Sequence, residues 1–294
     1  MFTNEAVMIF SRTFSDVVRC RYSCRSYDPA IPTVSAFTQL SGFIDSLPAG
    51  PFGAPNRFVL VQANEQDRRS LLGLRTYGAI KDAPGFIIGV SGKGQMNMED
   101  FGYRMEMIIL KAADLGLGTC WLGGSFTRSS FSLKAGAVRG ETLPAVTSVG
   151  FPMEQKTPAQ IDQNRKRQDW NSLFFAENFE TPLSKEPAAE FSSPLEMVRL
   201  APSARNLQPW RIVKKGKNYH FFIQRYKGYR ELVVPFITGI ADLQRVDMGI
   251  AMAHFDCALK ESGLTGRWDV MDHGIVVTNN LMEYSFTFVP EGKA

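Results

Sequence analysis

Ala201-Pro-Ser-Ala-Arg-Asn-Leu-Gln-Pro-Trp-Arg-Ile-Val213 is the stretch from which this chain is read. Pro202 disfavours a helical Ala201, and Pro209 does the same for Gln208, so the stretch begins as a loop. Ser203 and Asn206 carry short polar side chains that bond nearby backbone or a ligand. Trp210, Ile212 and Val213 then open a β-prone run. Taken singly, these residues make an ordinary capped turn ahead of a strand. The question is what the loop does so far along the chain.

A related loop lies earlier. Leu47-Pro-Ala-Gly-Pro-Phe-Gly-Ala-Pro-Asn-Arg-Phe-Val59 aligns with 201–213 at a constant spacing of 154 positions. Pro48 meets Pro202, Pro55 meets Pro209, Arg57 meets Arg211 and Val59 meets Val213. The polar positions differ: Ser203 faces Ala49, and Asn206 faces Phe52. The frame is kept and the ligand chemistry is lost. At a spacing of 147, Asp100, Gly102, Met105, Gly116, Leu117 and Trp121 recur as Asp247, Gly249, Met252, Gly263, Leu264 and Trp268. This is a duplication of one unit, too long in period for a solenoid. The first copy spans 1–180 and the second, shorter one 194–294, joined by a Pro-, Ser- and Glu-rich connector at 181–193.

Ahead of both loops, Phe14, Val17 and Val18 have helical spacing and lead into Arg21-Tyr-Ser23-Cys-Arg25. In an extended segment Arg21, Ser23 and Arg25 share a side. Two guanidiniums around a hydroxyl suit a phosphate, because arginine presents a planar fork of donors; a pair of surface arginines is the plainer alternative. Helices are expected at Val34–Leu47, 67–77 and 99–116, the last so apolar that it must be buried on most sides. Strands are expected within Lys81–Val90, 143–152, Gly274–Thr278 and Tyr284–Val289. Leu115-Gly-Leu-Gly-Thr-Cys-Trp-Leu-Gly123-Gly124 follows the buried helix, and a basic run, Arg165-Lys-Arg167, lies near the end of the first copy.

Composition bounds the function. The chain has 294 residues, 44% hydrophobic and 21% charged, as in ordinary globular proteins. A net charge of +4 is too small and scattered to argue for nucleic acid. Four cysteines in no metal-like pairing and only three histidines make zinc improbable. The apolar run Ala6–Phe10 is too short for a signal peptide or a membrane span. A cytoplasmic protein without membrane or nucleic-acid partners is expected.

Three elements together carry a resemblance. Arg-x-Ser-x-Arg at 21–25, Pro-Ser-x-x-Asn-x-Gln-Pro-Trp at 202–210 and Gly-Leu-Gly-Thr-Cys-Trp-Leu-Gly-Gly at 116–124 resemble the FMN-dependent nitroreductase family, and the duplication resembles its single-chain pseudo-dimers. The resemblance implies an α+β, nitroreductase-like fold: two unequal copies packed around antiparallel or mixed sheets and long buried helices. In that family the flavin lies in a seam between subunits, so a fused chain can keep each half-site once. By resemblance, Arg21, Ser23, Arg165 and Arg167 hold the FMN phosphate, and Arg25 lies near the pyrimidine edge. Gly123 and Gly124 face the reactive edge, while Pro202, Ser203, Ala204 and Asn206 reach across from the second copy. One FMN per chain is expected, with NADH or NADPH as reductant and a nitro, quinone or similar small conjugated acceptor. The alternatives are a flavin-binding or structural protein without turnover, and an enzyme of the same fold doing other flavin chemistry.

Overall fold

The computed structural model describes residues 9–31, 33–62, 75–227, 241–272 and 274–293. Its helices are α1 (Phe14–Cys20), α2 (Val34–Ser46), α3 (Asn97–Asp114), α4 (Arg128–Lys134), α5 (Pro158–Asn164), α6 (Trp170–Leu173), α7 (Lys185–Ala188), α8 (Ser192–Leu200) and α9 (Leu243–Glu261). The strands are β1 (Asn56–Gln62), β2 (Gly85–Ser91), β3 (Gly118–Leu122), β4 (Val146–Gly150), β5 (Phe174–Ala176), β6 (Trp210–Lys215), β7 (Asn218–Gln224), β8 (Leu264–Asp269) and β9 (Met282–Lys293). The α+β expectation holds.

The strands form two sheets, ordered β1-β2-β4-β3 and β5-β6-β7-β9-β8. All neighbours are antiparallel except β5, which adds in parallel to β6. Without β5 the two orders match strand for strand. Helix α3 lies on β1, β2 and β3, helix α9 lies on β6, β7 and β8, and the two helices pack on each other. β2 is buried along its whole length because both faces are covered: Ile87 turns toward α3, while Phe86 and Ile88 meet Phe131 of α4 and its neighbours. Continuous apolar β2 therefore reads as a central strand, as its sequence implies.

The contact between α3 and α9 is unusually intimate. A methyl group added at Gly249 would lie 1.9 Å from the Glu99 carbonyl oxygen, and one at Gly102 would lie 2.1 Å from that of Val246. Only glycine lets two helix backbones approach so far. The same two helices bury polar side chains: Glu99, Asp100 and Glu106 on α3, and Gln244, Asp247 and His254 on α9.

One expectation is corrected: residues 274–278 form no strand. Both edges of β9 are already taken by β7 and β8, so this β-prone segment finds no ladder; Ile275 packs on Val213 and Phe222, and Val276 is 79% exposed. The connector is folded, through α7, a 3-10 turn at Ala189–Phe191 and the start of α8, with Leu183, Ala188 and Phe191 buried. The helix expected at 67–77 lies outside the described residues except at 75–77, which are not helical. No helix among the described residues is long and apolar enough to cross a membrane.

Gly249→Ala is expected to cost about 3 kcal/mol or more in chemical denaturation, because backbone rather than a flexible side chain blocks the methyl group. Gly42→Ala, on the exposed face of α2 with nothing within 4 Å, should instead stabilise by roughly 0.5–1 kcal/mol.

Candidate functional site

Helix α1 ends where Arg21 turns extended, at φ −73° and ψ 128°. The chain then runs beside β3, with Ser23 bridged in parallel to Thr119 and the Cys24 N–H donating to the Thr119 carbonyl at 2.8 Å. Ser23 and Arg25 are exposed, but Arg21 is only 6% exposed. Burial lowers its pKa, opposed by the charge of Glu106. Among the described residues the Arg21 guanidinium has no hydrogen bond or ion pair.

Arg165 and Arg167 come to the same place from the segment after α5. Arg165 Nη2 donates to the carbonyls of Val18, Arg19 and Arg21 at 3.0, 3.1 and 2.9 Å, closing the open end of α1. Arg167 donates through Nε and Nη2 to the Leu200 carbonyl at 3.3 and 2.9 Å, closing α8. Guanidiniums at helix C-termini satisfy orphan carbonyls and oppose the dipole. The third reach of Arg167 is to Asn206 Oδ1, at 3.0 Å from Nη1, while Asn206 Nδ2 donates to the Lys166 carbonyl at 3.0 Å.

The cluster is electrostatically strained. Burial first, then Arg21, drive Arg165 down to about 10, and burial, Arg21 and Arg165 drive Arg167 down to about 9. Arg165 Nη1 is buried without a hydrogen bond, its nearest carboxylate being Asp162 at 3.6 Å. Guanidiniums keep their protons in proteins, so these shifts register repulsion and desolvation rather than neutralisation. An anion would relieve both.

The loop at 202–208 is held in a costly shape. Arg205, Asn206 and Gln208 all have positive φ, at 54°, 58° and 50°. Left-handed non-glycine residues of this kind persist where the surroundings over-determine them. Ser203 Oγ accepts the Gln208 N–H at 2.8 Å, and Ser203 O accepts that of Asn206 at 2.9 Å. Asp247, on α9, accepts the Ala204 N–H at 2.8 Å. Gln208 Oε1 accepts the Gln168 N–H at 2.8 Å, and Gln168 Nε2 donates to the Leu207 carbonyl at 2.9 Å, lacing loop and basic segment together. Pro202 is buried beneath them.

Asp100 performs the matching task for the earlier loop, accepting the Phe52 and Ala54 N–H groups at 3.0 and 2.8 Å. There Phe52, opposite Asn206 in the repeat, lies against Phe286 of β9 with ring centroids 5.9 Å apart. A cavity of about 380 Å³ opens elsewhere, among Gln95, Glu99, Arg225, Arg245 and Glu283. It holds none of the expected residues. Its arginines are paired, Arg245 with Glu99 at 2.6 Å and Arg225 with Asp242 and Glu283 at 2.9 Å each.

Gly123 and Gly124 follow β3. A methyl group at Gly123 would strike Leu243 of α9 at 2.5 Å, whereas Gly124 has nothing within 4 Å. Just before them, Trp121 Nε1 donates to Glu106 Oε2 at 2.8 Å. The structure thus brings Arg21, Arg165, Arg167, Ser203, Ala204 and Asn206 into one neighbourhood, with Ser23 on the strand-like segment beside β3. Glu106, Gln168 and His254 carry no signal in the sequence, whereas Asp247 left a trace as an identity with Asp100 and Gln208 stands in the motif at 202–210.

The family model described as "Putative TM nitroreductase" matches residues 15–259. No curated protein is similar to this chain. Among solved structures, a nitroreductase-like chain from Thermotoga maritima is 19% identical with a TM-score of 0.58, covering 94% of this chain and 93% of its own. A nitroreductase family protein from Clostridium difficile 630 is 18% identical with a TM-score of 0.43, covering 53% of this chain and 94% of its own. One from Exiguobacterium sibiricum, solved in complex with FMN, is 14% identical with a TM-score of 0.41, covering 51% and 92%. On the span of its match, the chain belongs to the "Putative TM nitroreductase" family, within the nitroreductase type of oxidoreductase.

Proposed function

We propose that the chain is an FMN-dependent oxidoreductase that passes hydride from NADH or NADPH to a nitro, quinone or similar small conjugated acceptor. One observation carries this reading: a buried guanidinium at Arg21, unpaired among the described residues, with Arg165 and Arg167 beside it and Arg167 bonded to Asn206. Among the described residues none of these three cations is hydrogen-bonded to a carboxylate, and Asp162 stands 3.6 Å from Arg165, so the cluster retains charge to offer a phosphate. Gly124 is open to close backbone approach, and the strained loop presents the Ser203 hydroxyl and the Asn206 amide beside the cations. FMN, when bound, supplies the hydride chemistry.

Arg21 and Ser23 would contact the phosphate. Arg165 and Arg167, whose donors already hold helix ends, would supply fixed positive charge. Arg25 is exposed and free to face the ring, while Gly123 and Gly124 would line its reactive edge. Pro202, Ser203, Ala204 and Asn206 would close the site from the other side. No side chain is assigned as acid or base.

The chain is read as an internal pseudo-dimer of unequal copies, 1–180 and 194–294, acting as a monomer in the cytoplasm. The matched strand orders of the two sheets, the facing glycines at 102 and 249 and the paired aspartates at 100 and 247 support this. The opposite site would be closed, since Phe52 fills the place where an amide is needed. One FMN per chain follows.

FMN titration should saturate at one equivalent per chain, and anaerobic NADH or NADPH should bleach the yellow protein; a colourless protein that rejects FMN sinks the proposal. A yellow protein that neither nicotinamide reduces is a binder without turnover. Arg21→Ala should weaken FMN by roughly 10- to 150-fold, the worth of a charge-assisted bond, and Asn206→Ala by roughly two- to tenfold. Fluorescence titration checks both, and normal affinity in both variants would dismiss a site shared between the two ends of the chain.

A further inference from the structure

Gly123 and Gly124 are the chain's one Gly-Gly pair, and the peptide between them is trans. In a trans peptide the carbonyl and the following N–H point opposite ways. Whatever holds the Gly123 carbonyl therefore aims the Gly124 N–H. That N–H has no hydrogen-bond partner among the described residues. Gly124 is exposed, with nothing within 4 Å of an added methyl group.

The Gly123 carbonyl is held by Arg128, the first residue of α4, whose Nη2 donates to it at 2.8 Å. Nη1 of the same guanidinium donates to the Leu143 carbonyl, and the central carbon stands 4.9 Å from the centre of the Phe126 ring. Phe126 is itself buried and packed edge-on against Phe131. Three contacts thus fix the guanidinium. Burial lowers its pKa, but a guanidinium keeps its proton, and no carboxylate is paired with it among the described residues. A cation at the first position of a helix opposes the dipole, so α4 gains nothing from this arginine. On the side of α9, Leu243 lies where a Gly123 side chain would go. The repeat isolates the feature: at the spacing of 147, Gly123, Gly124 and Arg128 correspond to Val270, Met271 and Ile275. The half of the chain without the glycines is also without the arginine, and Ile275 packs there on Val213 and Phe222.

We propose that Arg128 is a positioning residue that aims the Gly124 N–H at the bound flavin and, through the Gly123 carbonyl, strengthens it as a donor. Cation, carbonyl and N–H form a chain whose members polarise one another. Arg128 acts through this peptide and not by touching the ligand. The proposal rests on the reading above, in which Gly123 and Gly124 line the reactive edge of FMN.

Glycine labelled at its carbonyl carbon and its nitrogen gives one coupled carbon–nitrogen pair in NMR spectra of the full chain, that of Gly123 and Gly124. Two variants divide the roles: Arg128→Lys keeps the charge, and Arg128→Gln keeps a donor without it. In the FMN-free chain both should move this pair from its wild-type position, Arg128→Gln further. With FMN present, Arg128→Gln should weaken reduced FMN roughly three- to tenfold more than oxidised FMN, because reduction adds negative charge and a cation is gone. That is a midpoint potential about 15–30 mV lower. Arg128→Lys should recover about half of that shift or more. Inorganic phosphate should bind all three proteins within about twofold, since Arg21, Arg165 and Arg167 are untouched. An unmoved pair or an unchanged potential overturns the proposal. So does joint loss of phosphate and FMN affinity with no change of potential, which is what a merely structural role gives. If Arg128→Gln fails to fold, Arg128→Lys decides: a single ammonium cannot reproduce the fork on two carbonyls, so an unmoved pair overturns the proposal. A wild type that rejects FMN sinks the flavin reading and this inference with it. A wild type that takes FMN, with pair and potential unmoved in the variants, sinks this inference alone.

Discussion

Two helix backbones in contact at Gly102 and Gly249 set the geometry on which everything else rests. The crossing brings the carbonyl of Glu99 against one glycine and that of Val246 against the other, so each helix is keyed into its partner from both sides. Because α3 and α9 each carry a sheet, the depth of this contact sets how near the two halves of the chain come. It also sets where their ends meet. Asp247 sits two residues before Gly249 and holds the loop at 204, while α1 rests on both helices and brings Arg21 to their junction.

What gathers there is positive charge held by neutral groups. Arg165 and Arg167 are anchored by main-chain carbonyls at the ends of α1 and α8, not by carboxylates. Carbonyls position a guanidinium without cancelling its charge, so the field survives the anchoring. Repulsion within the cluster is the cost, and it opposes folding. The arrangement is organised in advance and spends stability to be so.

The loop at 202–210 was legible because its signals are local: two prolines, a serine and an asparagine define a turn whatever surrounds them. Helix α3 was legible from its nearly all-round apolar character and β2 from its unbroken apolar run, whereas α9 showed only through its identities with α3. The sequence identities paired Asp100 with Asp247 but did not give their task, since a lone aspartate does not announce which amides it accepts. The anchoring of Arg165 and Arg167 was hidden for a related reason. Their partners are carbonyls of Val18, Arg19, Arg21 and Leu200, and any residue offers the same carbonyl. Arg21 read as one of an exposed alternating trio, yet its place on the inward stripe of α1 decides its burial. At 274–278, β-propensity misled because pairing needs a vacant edge and β9 has none.

Arg21 and Asn206 lie far apart in one covalent chain, yet the fold brings both to the side of Arg167. Encounter between the two sides is therefore unimolecular, with an effective concentration set by the intervening polypeptide rather than by how much protein is present. Dilution cannot separate them. Phe52 packs as a hydrocarbon against Phe286, whereas Asn206, at the matching position in the sequence, bonds Arg167 and the Lys166 carbonyl.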